Sequence, residues 1–227
     1  MKILALMNSI NPPQDTIDSV RNQTVKVDKF IIMTEKLDDK LPIGVRQGIL
    51  INKALKWINL QDYDWILKID DDVFLPRNFI EENLKQGGDI IGTGGHALLI
   101  KVKSFLSVFD KYPEVISDDT YLGLKFVCFG YKRSSWKVRA IWLRFKNRPI
   151  WLRLKKDDWL YHFYRGTCLY RLGYEPIHLF YDSVNPRINP WIISGYFYSF
   201  FSRIKRFSFA DKVTNRQIRR LVRCVAR

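Results

Sequence analysis

The stretch Trp65-Ile66-Leu67-Lys68-Ile69-Asp70-Asp71-Asp72-Val73-Phe74-Leu75-Pro76 decides how the rest of the chain is read. An apolar run of strand character ends in three adjacent carboxylates. Such a cluster repels itself strongly and persists only where water, a cation or basic groups compensate it. Pro76 opens a helical segment reaching Gln86, so the acids are expected at the carboxyl end of a strand, where open α/β sheets bind their ligands. Asp70 and Asp72, two apart on an extended backbone, point the same way and can approach one hard divalent ion, whereas Asp71 points elsewhere. Mg²⁺ or Mn²⁺ suits these oxygen ligands better than zinc, because no Cys or His cluster lies alongside. A solvated acidic turn, with Asp72 capping the following helix, explains the same run without a metal.

Outward from the acids, strand and helix patterns alternate. Lys2 to Met7 reads as a buried strand, and Pro12-Pro13 opens a helix that carries Ile17 and Val20 on one face and ends near Gln23. Lys29 to Thr34 is a second strand. Val45 to Leu60 places Val45, Ile49, Ala54, Leu55 and Ile58 at helical spacing before the strand Trp65 to Ile69. This β-α-β-α-β order predicts a mostly parallel sheet with right-handed crossovers. Asp89 to Ile91 and Ala97 to Val102 are further strands, separated by the turn Gly92-Thr93-Gly94-Gly95. No internal repeat or low-complexity segment interrupts the series.

The chain has 227 residues and 47% apolar content, enough for a full core plus an appendage. Cys128, Cys168 and Cys224 are widely spaced and odd in number, which argues against a disulfide framework or a zinc knuckle. The apolar run after Lys2 stops at Met7, and nowhere do about 18 apolar residues follow one another. A cytoplasmic chain without a membrane span is therefore expected. The net charge of +15 is unevenly spread. Residues 1–131 hold 16 Lys/Arg and 18 Asp/Glu, whereas residues 132–171 hold 12 and 2, and residues 191–227 hold 9 and 1. Two basic segments behind a nearly neutral front half point to an anionic partner: a membrane surface, a nucleic acid or a phosphorylated substrate.

With that order established, the chain resembles the inverting glycosyltransferases of the GT-A fold, especially the large family 2. Five pieces carry the resemblance in sequence order: Met7-Asn8-Ser9 with Val20-Arg21-Asn22-Gln23-Thr24; Phe30-Ile31-Ile32-Met33 running into Thr34-Glu35; Gly44-Val45-Arg46-Gln47-Gly48-Ile49; Ile69-Asp70-Asp71-Asp72 as a D-x-D motif with Pro76 behind it; and Gly94-Gly95-His96-Ala97-Leu98-Leu99-Ile100 followed by Ser117-Asp118-Asp119-Thr120-Tyr121 and Phe129-Gly130-Tyr131. The family's usual Asp pair after the second strand is here Thr34-Glu35. The resemblance covers about residues 2 to 131. It implies a Rossmann-like, mostly parallel α/β sheet flanked by helices, with a catalytic domain at 1–190, its nucleotide-sugar half at about 1–95 and its acceptor half at about 96–190, and a basic, aromatic, helical extension at 191–227.

The resemblance also implies roles. Asn8, Glu35, Arg46, Asp70, Asp71, Gly95, His96 and Arg165 would contact a UDP- or GDP-linked sugar donor, and Asp72, Asp70 and His162 would hold Mn²⁺ or Mg²⁺. A divalent ion held by carboxylates can neutralise a leaving diphosphate as the anomeric bond breaks. Asp119, with Asp118 as the neighbouring alternative, would take the proton from the acceptor hydroxyl. The same acid pair also suits the first turn of an ordinary helix. His178, in an apolar run, reads as structural.

Ile141-Trp142-Leu143-Arg144 and Ile150-Trp151-Leu152-Arg153 alternate apolar pairs with cations, and Tyr196-Phe197-Tyr198-Ser199-Phe200-Phe201 precedes Arg203, Lys205 and Arg206. Such aromatics beside cations suit a helix lying in anionic lipid headgroups, and equally a helix packed on a core or another subunit. The reading that follows is a metal-dependent glycosyltransferase, peripheral on the cytoplasmic membrane face, with a glycan or lipid-linked acceptor. The rival is a non-catalytic domain of the same fold or a basic nucleic-acid-binding protein, for which acids at Asp70, Asp72 and Asp119 would be a liability.

Overall fold

The structure is a computed structural model that describes residues 1–92, 96–143, 159–176 and 190–225. It divides into two compact units, Met1–Ile150 and Trp151–Arg227.

In the first unit the apolar runs become strands β1 (Ile3–Asn8), β2 (Lys29–Met33) and β3 (Trp65–Asp70), followed by β4 (Val73–Phe74), β5 (Ile90–Ile91), β6 (Ala97–Lys101), β7 (Arg133–Ser134) and β8 (Ile141–Trp142). Six of them form one sheet in the order β2-β1-β3-β6-β5-β7. Neighbours pair in parallel except around β6, which runs against both β3 and β5. Five strands therefore point one way, as the alternating pattern predicts. Side chains alternate across the sheet: Leu4, Leu6, Ile66, Leu98 and Ile100 pack on one face with Phe105, Tyr112 and Phe126, and Ile3, Ala5, Met7, Leu67, Ile69 and Leu99 on the other with Val20, Phe79 and Ile80. Helices α1 (Gln14–Arg21), α2 (Ile43–Leu55), α3 (Phe79–Leu84), α4 (Val102–Val108) and α5 (Asp118–Cys128) cover the faces.

Two local expectations are corrected. The helix after the acids starts at Phe79 rather than at Pro76, because Val73–Phe74 first pairs with Ile141–Trp142 in a two-stranded sheet. Ile141 and Trp142 are thus strand, not an interfacial helix. The companion segment 150–153 lies outside the described residues.

Helix α1 also buries an unexpected face. In place of an Ile17/Val20 seam, the buried positions are Thr16, Ser19, Val20 and, just past the helix, Gln23. This stripe is polar because it binds backbone. Thr16 Oγ1 donates to Asp71 O at 2.9 Å, Ser19 Oγ accepts from Leu75 N at 3.1 Å, and Gln23 Nε2 donates to Pro76 O at 2.9 Å while its Oε1 accepts from Ile80 N at 3.0 Å. The acid turn and the loop behind it are therefore stitched to α1.

In the second unit α6 (Trp159–Arg171) packs on α7 (Pro190–Phe201), and α8 (Ala210–Val225) follows. Gly166 and Gly195 set the close approach of the first two: a Cβ on Gly166 would run into Ile192 O, and one on Gly195 into Phe163 O. The segments on either side of position 190 thus belong to one compact unit. No helix among the described residues is long and apolar enough to cross a membrane.

Candidate functional site

β1 and β2 end side by side at Asn8 and Met33, and their carboxyl ends open onto a cleft of about 270 Å³. Met33, Ile43 and Leu50 give it an apolar wall; Asn8, Glu35, Arg46, Gln47 and Asp71 supply polar groups. Asn8 Nδ2 donates to Gln47 O at 3.3 Å, while its buried Oδ1 has no hydrogen-bond partner among the described residues. Glu35 pairs with Lys53, and Arg46 with Asp39 at 2.7 Å, so both charges are compensated at the rim. Larger hollows of about 750 and 670 Å³ lie at the amino end of β3 and beside α2, away from the acid turn.

The three acids occupy the end of β3 and the turn into β4, so the extended backbone assumed from their spacing holds only as far as Asp70. Each carboxylate meets a different donor. Asp70 Oδ1 lies 3.0 Å from Lys68 Nζ and accepts from Gln47 Nε2 at 3.3 Å. Asp71 Oδ2 accepts from Ser9 Oγ at 2.7 Å. Asp72 Oδ2 accepts from Trp142 Nε1 at 2.7 Å, so Asp72 serves β8 rather than capping a helix. His96 sits above, its ring centroid 4.4 Å from that of Trp142 and its Nδ1 4.0 Å from Asp70 Oδ2.

On the other side of Lys68 stands α5. Asp118 is buried in its first turn, where Oδ2 accepts from the Tyr112 hydroxyl at 2.6 Å and lies 4.0 Å from Lys68 Nζ. Asp119 follows on the half-buried side. Two backbone features bring this turn inward. Ser117 adopts a left-handed φ of 58°, rare for a residue with a Cβ. Gly44 and Gly48 let α2 press against residues 113–118: an added Cβ on Gly48 would meet Pro113 O and come within 2.9 Å of Glu114 Cα, and one on Gly44 would meet Val115 O and Asp118 Oδ1. Glycine is the residue that permits such contact.

Lys68 is almost completely buried, as Asp118 is. Burial alone would lower the lysine pKa, but Asp118 and Asp70 outweigh it and hold the ammonium above its usual value. Burial also pushes the carboxyls of Asp70 and Asp118 up, with Lys68 offsetting part of the effect. The result is one coupled cluster in which acids 48 residues apart in sequence share a single cation.

Sequence reasoning paired Asp70 with Asp72 and Asp118 with Asp119; the connection between the pairs is Lys68, which it passed over. A signal was present: Lys68 is the one charged residue inside the apolar run W-I-L-K-I, two before Asp70 and hence on its face of the strand. Ser9, Tyr112 and Trp142 left no comparable mark. Gly95 and His178 lie outside the described residues. His162 and Arg165 are on α6 of the second unit.

Among the described residues no three His, Cys, Asp or Glu side chains form a metal cage. The oxygens of Asp72 and Asp70 nevertheless fit Mg²⁺ or Mn²⁺, which take one or two carboxylates and complete an octahedron with phosphate oxygens and water.

No protein-family model matches the chain, and no curated protein matches it. Among solved structures it is similar to the mannosyltransferase PcManGT from Pyrobaculum calidifontis in complex with GDP-Man and Mn²⁺, at 12% identity and a TM-score of 0.55, covering 97% of this chain and 80% of that one. Weaker likenesses are A197 from STIV, at 16% identity over 62% of this chain and 84% of that one with a TM-score of 0.43, and a glycosyltransferase involved in the glycosylation of the major capsid of PBCV-1, at 13% over 60% and 81% with a TM-score of 0.35. The sheet order, the single reversed strand and the full-length likeness to the mannosyltransferase agree: the chain has a GT-A-like α/β fold.

Proposed function

We propose that the chain transfers a sugar from a nucleoside-diphosphate donor, with a divalent metal, to an acceptor hydroxyl. The observation that carries this reading is the convergence at the strand ends: a cleft with apolar and polar walls, the acid turn at its edge, and Asp118 of α5 joined to that turn through Lys68. The cleft would take the nucleoside, with Met33, Ile43 and Leu50 against the base and the unpartnered Asn8 Oδ1 accepting a donor N–H. Asp71, anchored by Ser9, and Gln47 would meet the ribose. Asp72 and Asp70 would hold Mg²⁺ or Mn²⁺, which when bound supplies Lewis-acid stabilisation of the leaving diphosphate. Asp119, less buried than Asp118, would orient the acceptor hydroxyl and take its proton, on the face opposite the departing diphosphate, which gives inversion at the anomeric carbon. Asp118, buried and bonded to Tyr112, is a positioning residue in this scheme. The likeness to a protein with GDP-Man and Mn²⁺ makes GDP-mannose the first donor to try.

For the acceptor, support comes from the second unit by itself. Trp191, Tyr198, Phe200 and Phe201 are exposed along α7, the Trp159 ring lies tilted against that of Trp191, and exposed Arg203 and Lys205 follow. Aromatics flanked by cations suit an anionic lipid surface, and hence a membrane-proximal acceptor. The function is tested by donor turnover across UDP- and GDP-sugars with and without Mn²⁺. Metal-dependent release of nucleoside diphosphate from one donor is expected; no turnover of any donor, with no nucleotide binding, overturns the reading.

A further inference from the structure

We infer that Lys68 sets the metal affinity of the acid turn, acting as a resident counter-charge that makes the divalent cation arrive with the donor's diphosphate instead of binding the bare protein. This rests on the proposed function for its metal but on geometry for its mechanism. Lys68 stands on β3 at an otherwise apolar strand position, with Nζ 3.0 Å from Asp70 Oδ1 and 4.0 Å from Asp118 Oδ2. Its side chain is 4% exposed, so solvent screens these contacts little. A cation in this position does two things to an incoming metal. It takes one oxygen of Asp70, leaving Oδ2, whose neighbour His96 Nδ1 is 4.0 Å away, to share a metal with Asp72. It also repels a second cation directly. Asp118, held by the Tyr112 hydroxyl, keeps Lys68 where it is from the opposite side. A donor diphosphate brings negative charge and oxygen ligands that overcome both effects, so metal and donor are expected to bind together.

The sign of this effect separates it from a merely structural role, because damage to a fold weakens ligand binding whereas loss of Lys68 should strengthen one. The test is Mn²⁺ binding to the full chain without nucleotide, followed by electron paramagnetic resonance of the free ion, for wild type, Lys68→Met and Lys68→Arg. Unit charges a few ångströms apart in a half-buried site interact by more than one decade in affinity, so Lys68→Met should bind Mn²⁺ about tenfold or more tightly than wild type. Lys68→Arg, which keeps the charge, should stay at the wild-type level. Should Lys68→Met fail to fold, Lys68→Met/Asp118→Asn removes the cation together with the more buried of its two carboxylates and still frees Asp70; it too should bind more tightly than wild type. Unchanged or weaker Mn²⁺ affinity in the folded methionine variant overturns the inference, as does equal tightening by arginine. Since no donor is present, failure here is distinct from failure to turn over a nucleotide sugar.

Discussion

Gln23→Ala should loosen the acid turn from the sheet, although residue 23 touches none of the acids. The side chain is 1% exposed and makes bonds in two directions: Nε2 to Ser19 O at 2.8 Å and Pro76 O at 2.9 Å, and Oε1 from Ile80 N at 3.0 Å. Alanine strands the Ile80 N–H and takes one of two donors from the Pro76 carbonyl, which keeps Phe79 N at 2.8 Å. A buried polar group left without a partner costs about 1–3 kcal/mol, and one such group together with the Pro76 carbonyl's lost second bond gives an expected loss of about 2 kcal/mol. For a chain of this length that is a fall in Tm of roughly 4–8 °C. Gln23→Glu is the discriminating companion. It keeps the acceptor for Ile80 N but replaces the donor with an oxygen facing carbonyls, and should be no less damaging than alanine. Urea unfolding followed by tryptophan fluorescence gives the free energies, and nucleotide titration with Mn²⁺ on the folded variants reads the site. A loss below about 1 kcal/mol for alanine, or wild-type stability for the glutamate variant, would refute the idea that Gln23 clamps the turn.

Further outcomes follow from other contacts. Asp119→Asn should lower turnover by about 10² or more with nucleotide affinity nearly unchanged, the pattern of a lost general base; if only Asp118→Asn damages turnover, the base is misassigned. Gly48→Ala forces a Cβ into Pro113 O and Glu114 Cα, so α2 must shift, at a cost of about 1–3 kcal/mol by thermal melting; a neutral result would mean that α2 and residues 113–118 yield freely. Hydrogen bonds from Lys137 and Lys85 bring the Glu82 carboxyl from 4.5 down to about 2. A carboxylate lowered in the folded state contributes stability that is complete above about pH 4.5 and lost as the pH falls towards 2, so Glu82→Gln should flatten the acid limb of a stability profile in that window.

How much of this was readable beforehand differs from element to element. The strands Ile3–Asn8, Lys29–Met33 and Trp65–Asp70 were legible because apolar side chains with short polar breaks leave few alternatives to a buried parallel sheet. The family resemblance points to Asn8, Glu35, Arg46 and Asp71 as donor contacts, and the structure lines one hollow with all four. The pairing of Val73–Phe74 with Ile141–Trp142 was not, since strands of two residues carry no periodicity and their partner lies some 70 residues away. The polar face of α1 was misread for a related reason. Thr16, Ser19 and Gln23 look solvent-facing until the backbone they bind, contributed by residues 71–80, is in place.

That last dependence has a kinetic side. Helix α1 directly follows β1, and so short a connection would ordinarily make it an early, local contributor to folding. Its buried face is instead held by hydrogen bonds spanning 53 to 57 residues, which form only after the chain has travelled through β2, α2 and β3 and turned at the acids. Loop-closure entropy is spent before those bonds return anything. Conservative changes at Thr16 and Ser19 should therefore leave the folding rate nearly untouched and speed unfolding instead, placing α1 among the last elements to lock, with the acid turn locking beside it.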